Sequence, residues 1–477
     1  MTHPSATRSH QTWTVVLASI GVLMTSLDTL VVTTSLPVLR NSLHASLSSL
    51  EWTVNAYNLA FACLLLTGAA LGDRFGRRRM FTIGVGVFTA ASVLSAVSPS
   101  VGTLIAARAL QGAGAAIVMP LTLTLISEAF PTEKRGVAIG LWGGIQGLAV
   151  AAGPVVGGAI AGGISWHWIF WLNVPIGLAL MPLAARRLSE SYGPRPQLDV
   201  GGLVLAAAAA LAITWGLVRA EAAGWTSAEV LGSLGAGLVL GTSFIRWEAR
   251  TPTPMLKLAL FRDRTFATAN AVSFFSFAAL FGVLFLMAQF FQIALGHAPL
   301  HAGLELLPWT GAPMIVAPIA GALSERYGNR PFMAAGLALQ TIGLAWVALI
   351  AEPGMGYLPM GVALTIAGIG ISLCFPTVAN AVMGAVPLQE AGVASGTNSM
   401  LRELGGVLGI AVLASVFASH GGYASPAVFV DGFTKALWVG VGLSAAGCVA
   451  ALLAPRRSAA VAGDLVPAHP EAALDLS

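Results

Sequence analysis

The sequence predicts an all-α polytopic membrane protein of fourteen spans, and three observations carry that expectation. Hydrophobic residues make up 56% of the 477 and charged residues only 9%, whereas a soluble domain has about 25% charged residues to coat its surface. The apolar residues fall in repeated blocks of roughly 20, the length of helix that crosses a hydrocarbon core of about 30 Å. The third observation is a repeat. Gly72-Asp73-Arg74-Phe75-Gly76-Arg77-Arg78-Arg79 crowds five charges between two apolar blocks, and Gly321 to Arg330 returns an acid, Arg, aromatic, Gly and base in the same order 252 positions later (325 − 73).

Taken in order, spans are expected at 13–36, 52–71, 80–98, 103–126, 136–161 and 166–184. The first follows a polar dozen residues and has no clear small-residue cleavage site, so it reads as an uncleaved span rather than a signal peptide. The seventh and eighth, 199–219 and 229–246, have no charge in mid-span and read as a lipid-facing pair. The basic stretch Arg246 to Arg264, with Pro252 and Pro254, reads as a connector with lipid headgroup contacts. Spans at 266–292, 301–323, 331–350, 357–382, 392–418 and 432–454 then repeat the first six. The expected organisation is a six-helix bundle in 1–184, two extra spans and a connector in 185–265, a second bundle in 266–454 and a tail in 455–477. Many of the 55 glycines suit close helix contacts, because lipid supplies no hydrophobic drive between helices and small residues let backbones approach.

Orientation follows from the bases, which membrane chains retain on the cytoplasmic side. With the 72–79 loop inside, 19 of the 24 Lys and Arg fall on inside segments, and Arg40, Arg108, Arg219, Arg402 and Lys435 remain. Both termini are therefore expected in the cytoplasm, with the chain in the cell membrane. The net charge of +4 sits in short loops as a topology signal, so no nucleic-acid partner is expected. Cys63, Cys374 and Cys448 lie within apolar blocks and imply no disulfide framework. There is no phosphate-binding Gly-rich loop, no metal-ligand cluster and no plausible triad, so neither an enzyme, a cofactor nor a metal is expected.

Leu27-Asp28-Thr29-Leu30-Val31-Val32 through Leu36-Pro37, the Asp73 loop, Arg108-Ala109-Leu110-Gln111-Gly112-Ala113-Gly114, and Gly153-Pro154-Val155-Val156-Gly157-Gly158 form a set. This set resembles the major facilitator superfamily, and within it the drug:proton antiporters with fourteen spans. The four stretches match the branch's first-span signature and motifs A, B and C. Leu30, Thr33, Ala69 and Ala149 depart from the usual residues. The resemblance implies the major facilitator fold and proton-coupled export of hydrophobic, often cationic, drugs or secondary metabolites from a monomer in the bilayer. An uptake symporter for a small metabolite on the same fold, or a non-transporting membrane sensor, stays open.

Asp28 lies about 14 residues into its span, roughly 20 Å from the inner surface at 1.5 Å per residue. An acid at that depth serves as a proton or cation site or as a hydrogen-bonded packing group. Arg108 cannot discard its charge and needs a partner. The resemblance implies a role in proton coupling for it, against a structural one. Gln111, one turn on, shares its face. Asp73, Arg74, Gly76 and Arg77, with Glu325 and Arg326 in the second repeat, are expected to form a conformational latch, Asp73 either capping the next helix or pairing with arginines. Gly153, Gly157 and Gly158 permit tight contact and Pro154 bends the helix, so this stretch reads as a seal or as mere packing. Glu305, near the outer face, is a second acid or cation contact, with Trp309 one turn deeper. Asn398 and Arg402 complete the expected substrate cavity with Asp28, Gln111 and Trp309; Arg402 alternatively pairs with Glu403. His44, His167, His297, His301 and His420 map to the outer side as solvated loop residues or, alternatively, an external pH sensor.

Overall fold

The computed structural model describes residues 8–130, 132–193, 199–386 and 390–455. The first half runs α1 (Arg8–Leu43), α2 (Leu47–Phe75), α3 (Arg77–Ala96), α4 (Val101–Ala129), α5 (Thr132–Gly163), α6 (Trp168–Trp171) and α7 (Asn173–Arg187). Then come α8 (Val200–Ala223) and α9 (Ala228–Glu248). The second half is α10 (Arg264–Ile293), α11 (Pro299–Glu305), α12 (Leu307–Thr310), α13 (Ala312–Tyr327), α14 (Asn329–Ile350), α15 (Tyr357–Gly384), α16 (Ala391–His420) and α17 (Pro426–Leu453). Among the described residues, fourteen helical stretches are long and apolar enough to cross a bilayer.

Short polar residues start several of these helices. Ser46, Ser227 and Ser425 accept hydrogen bonds from backbone N–H groups at their third helical positions, and Ser100 forms a capping box with Thr103. Such caps satisfy donors that a helix cannot satisfy itself. Gly76 ends α2 at φ +104° and Gly328 ends α13 at φ +83°. These two glycines stand 252 positions apart (328 − 76), so the sequence repeat is also a backbone repeat, and the left-handed turn in each explains the Gly.

Two expected spans are not continuous helices. The tenth breaks into α11, α12 and α13 around Leu306 and Gly311, where Pro308 and Pro313 each lack the N–H a continuous helix needs. The sixth breaks at Leu172, between α6 and α7. Several ends also extend beyond the expected blocks; α1 reaches Leu43 and takes Arg40 into its last turn.

In the first half α4 packs on α2 and α3, and α1 on α5; in the second, α16 and α17 pack on α10 and α14 on α15 and α17. The halves meet along α2 with α16, α5 with α11 and α1 with α10. The extra pair is mostly exposed, but α8 rests on both α2 and α16. Leu203, Ala207 and Ala210 pack there against a small core of Leu59, Cys63 and Val407. The expected lipid-facing pair is therefore also a splint across the seam.

An even span count puts both termini at one end, the near end, with the Asp73 loop; Arg40 marks the far end. The largest core crosses the halves at the far end, joining Leu36, Leu39 and Leu50 to Phe285, Phe291 and Phe417. Near-end cores stay within one half each, Met80 with Leu125 and Leu188 in the first, Phe266 with Met333 and Val382 in the second. The far end is the better closed.

Candidate functional site

Asp28 sits on the inner face of α1, 2% exposed, and α4 and α7 bring three side chains to its carboxylate. The Arg108 Nη1 donates to Oδ2. Oδ1 accepts from Gln111 Nε2 at 2.7 Å and from Asn173 Nδ2 at 2.8 Å. Arg108 also donates to the Gln111 Oε1 at 2.8 Å and, through Nε, to the Thr53 carbonyl at 3.1 Å. Its guanidinium lies 4.3 Å from the Tyr57 ring centre, a cation–π contact. Tyr57 donates its hydroxyl to the Thr25 carbonyl at 3.2 Å, and Gln111 donates to Ser92 at 2.9 Å. Arg108, Gln111 and Asn173 are all 1% exposed or less. A buried ion pair is tolerable when its remaining polar atoms find partners, and here most do. The Arg108 Nη2 and the Asn173 Oδ1 have none. The network thus leaves one buried donor and one buried acceptor unmatched.

The four-residue cluster unites Asp28, Arg108 and Gln111 of the sequence reading and adds Asn173, which that reading missed. Asn173 is 145 positions from Asp28 and stands two residues before Pro175, a common loop setting, so nothing local marked it. The remaining cavity residues lie in other contacts. Trp309 is 1% exposed and belongs to the far-end core. Asn398 donates to Asn270 at 3.1 Å and to Ser273 at 2.8 Å. Arg402 pairs with Glu403 at 3.2 Å and stacks 4.9 Å from the Phe277 ring centre. Glu403, 6% exposed, is a further buried acid that reached the sequence reading only as the partner of Arg402. Glu305 bonds His297 at 2.8 Å and lies 3.6 Å from His301. His167 stacks on Trp166 at 3.8 Å, and its partial burial pushes the imidazole pKa downward.

The Gly153–Gly158 stretch forms two tight contacts. A methyl group on Gly157 would fall 2.3 Å from the Val31 carbonyl oxygen of α1. One on Gly158 would fall 2.1 Å from the Pro299 carbonyl oxygen of α11 in the other half, and one on Gly303 of α11 would fall 2.3 Å from the Pro154 carbonyl oxygen. These residues therefore line the far-end seam between halves. At the near end, Asp73 pairs with Arg77 at 2.7 Å, and Arg77 also contacts Glu128. Glu190 caps α3, accepting from the Arg78 and Arg79 N–H groups at 2.9 and 3.3 Å. So Asp73 is an ion-pair partner and the capping acid is Glu190. Arg74 and Arg326 lie over the rings of their neighbours Phe75 and Tyr327. The Glu325 side chain lies outside the described residues.

A model of the Major Facilitator Superfamily matches residues 18–410 and 267–466. The chain belongs to the major facilitator superfamily. Among its relatives, the tetracenomycin C resistance and export protein of Streptomyces glaucescens is 34% identical over 418 residues, covering 87% of this chain and 77% of that one. The multidrug resistance protein Stp of Mycobacterium tuberculosis is 35% identical over 411 residues, 86% and 76% of the two chains. The multidrug efflux pump LfrA of Mycolicibacterium smegmatis is 34% identical over 428 residues, 87% and 83%. The fold matches a crystal structure of the peptide transporter POT in complex with sulfate, with TM-score 0.70, 16% identity and coverage of 95% and 96%. It also matches a D-xylose-proton symporter with TM-score 0.63, 17% identity and coverage of 93% and 97%. The superfamily chain is thus a multi-pass membrane protein with a small-molecule substrate.

Proposed function

We propose that this protein is a proton-coupled antiporter that exports hydrophobic, often cationic, drugs or secondary metabolites by alternating access. The observation that carries the reading is the buried Asp28–Arg108 pair with Gln111 and Asn173 around it. The names of the relatives, resistance and efflux proteins, supply the substrate class and the direction.

In this mechanism the Asp28 carboxylate is the proton acceptor. A proton arriving on Oδ2 converts the carboxylate to a neutral carboxyl and ends the ion pair. Arg108 then keeps its bonds to the Thr53 carbonyl and the Gln111 Oε1 and its place over Tyr57, so its charge stays solvated by fixed dipoles. Proton release restores the carboxylate and with it the attraction for a cationic substrate. Proton and cation compete for one group, which is the condition for exchange. The loss of the pair also loosens α1 from α4, and α1 carries Val31 and Thr34 into the far-end seam with α5. That couples the charge state to the closure of the seam.

The bases place the near end in the cytoplasm, so the far-end-closed arrangement is the inward-facing one. The division into two six-helix bundles with a central pair at 185–265, the cytoplasmic termini, the monomeric state and the absence of catalysis complete the reading. Asn398, Arg402 and Glu403 form the facing wall in the second half, with Trp309 packed in the core behind the far-end seam, and the Asp73–Arg77 and Glu325–Arg326 loops form the inner latch. Efflux of a fluorescent cationic drug from energised cells, with and without Asp28→Asn, tests it. Export that collapses with a protonophore and is lost in the variant is the expected result. Equal export by the variant overturns it.

A further inference from the structure

The geometry points to a divalent transition-metal site of the zinc class at the far end, built from His297, His301 and Glu305. Their ligand atoms all lie within 4.8 Å of one another. Glu305 and His301 stand one turn apart on α11, and His297 comes from the connection before it.

The site is held from below. The Glu305 carboxylate is 4% exposed and its backbone carbonyl accepts from the Tyr357 hydroxyl at 2.8 Å. The His297 N–H donates to the Phe291 carbonyl at 3.0 Å, and Gly296 at φ +70° makes the turn that aims the ring back at Glu305. His297 Nδ1 meets Oε2 at 2.8 Å. The other carboxylate oxygen, Oε1, is buried and has no hydrogen-bond partner; the ring nitrogen nearest to it is His301 Nε2 at 3.6 Å. A buried carboxylate oxygen left without a donor is costly, and a dication between the three groups removes that cost.

The donor set selects the ion. Two imidazoles and one carboxylate suit zinc-class ions, which bind N and O at about 2.0–2.2 Å. Calcium and magnesium prefer oxygen cages. Tetrahedral bonds of that length put donors about 3.3–3.5 Å apart, so the Glu305 contacts are near the required spacing. His301, 60% exposed on its side chain, is free to swing inward and close the set. The two rings already stack with centres 4.5 Å apart and 18° between planes. Three protein ligands leave a fourth position open to the outer solvent, the arrangement of an exchangeable site and not of a sealed structural one.

The test is zinc binding by the purified, untagged full-length protein in detergent, followed by titration calorimetry and, with Co2+ in place of Zn2+, by visible absorption. One ion per chain is expected, with a tetrahedral-type Co2+ spectrum. His297→Ala and His301→Ala are each expected to weaken binding at least tenfold, and the exposed His301 position makes its variant safe to fold. No saturable one-to-one binding by the wild-type chain overturns the site. So does unchanged affinity in both histidine variants.

Discussion

Tyr57 and Trp309 stand 252 positions apart (309 − 57), at matching places in the two repeats, and their surroundings diverge. Tyr57 lies beneath the Arg108 guanidinium, while the backbone of Trp309 abuts Gly368 of α15 and its side chain joins an aromatic and aliphatic core. The same contrast holds for the helices behind them. α4 carries Arg108 and Gln111 at the Asp28 network, whereas α15, the fourth span of the second half, has no charged residue from Tyr357 to Gly384. The first half joins its buried charges across helices, Asp28 of α1 to Arg108 of α4, whereas in the second half Arg402 and Glu403 are neighbours on α16, set among groups such as Asn270, Ser273 and Phe277. Duplication supplied one frame twice, and the two copies divided the labour. On the proposed reading, coupling falls to the Asp28–Arg108 pair of the first half, and the second half supplies the wall that faces it.

The strongest way to break that contrast is to empty the charged half. Asp28→Asn keeps the shape and most hydrogen bonds but strands the Arg108 charge, and removing one partner of a buried pair costs about 3–5 kcal/mol. Loss of proton-driven export and a clear fall in Tm in detergent are expected together. Adding Arg108→Leu to Asp28→Asn removes the stranded charge and is expected to recover much of the Tm but none of the coupling. If the double variant is no more stable than Asp28→Asn alone, the pair is not the unit described here.

The seam between halves comes next. Gly303→Ala places a methyl group 2.3 Å from the Pro154 carbonyl oxygen, and overpacking of this kind costs about 1–3 kcal/mol. Only the far-end-closed state bears the clash, so the variant is expected to favour the opposite state. Labels on the far-end connections of the two halves should move apart in electron-spin distance measurements. Unchanged distances in a folded variant would show that α5 and α11 do not form the gate.

How much of this was legible in the sequence depended on range. Hydropathy and charge placed the spans, and the 252-residue repeat named Asp73, Glu325 and both turn glycines, because those signals are local. Asp28 and Arg108 stood out as charges in apolar runs. Their union, 80 positions apart, needed the packing of α1 on α4. Glu190 was invisible as the cap of α3 because it arrives from 112 positions away. The broken tenth span had its signal in Pro308 and Pro313, and an apolar window averages over such breaks. The His301–Glu305 spacing of one turn was visible too, but His297 joins them only through the turn at Gly296.

A smaller effect is expected at a partly buried cation–π contact that crosses between the halves at the far end. Arg40 of α1 lies 3.6 Å from the ring centre of Tyr423 in the second half, and Tyr423 donates to Gln289 at 2.6 Å. Such cation–π contacts contribute about 0.5–2 kcal/mol. Tyr423→Leu should raise the far-end-open population several-fold without abolishing coupling, read as faster labelling of a cysteine placed in the far-end cleft. Labelling at the wild-type rate would confine the gate to the α5–α11 seam.

The least effect is expected at the near-end latch, where the two halves should differ most quietly. Asp73 is bound within its own half, to Arg77, and Arg77 is shared with Glu128. These groups are partly exposed, and such pairs contribute roughly 0–1 kcal/mol. On the proposed latch, the same charges come within reach of the Glu325–Arg326 loop of the other half when the near end closes, and Asp73 then has a partner in each state. Asp73→Asn removes both sets of contacts. The within-half loss is shared with Glu128, which keeps its hold on Arg77, so the closed near end loses more than the open one. The variant should therefore slow turnover a few-fold with little change in substrate affinity, while Glu325→Gln acts in the same direction and less, because fewer bases surround it. Spin-label distances across the near end decide the matter. If export fails in Asp73→Asn while those distances keep the wild-type distribution, Asp73 acts on something other than the balance between states.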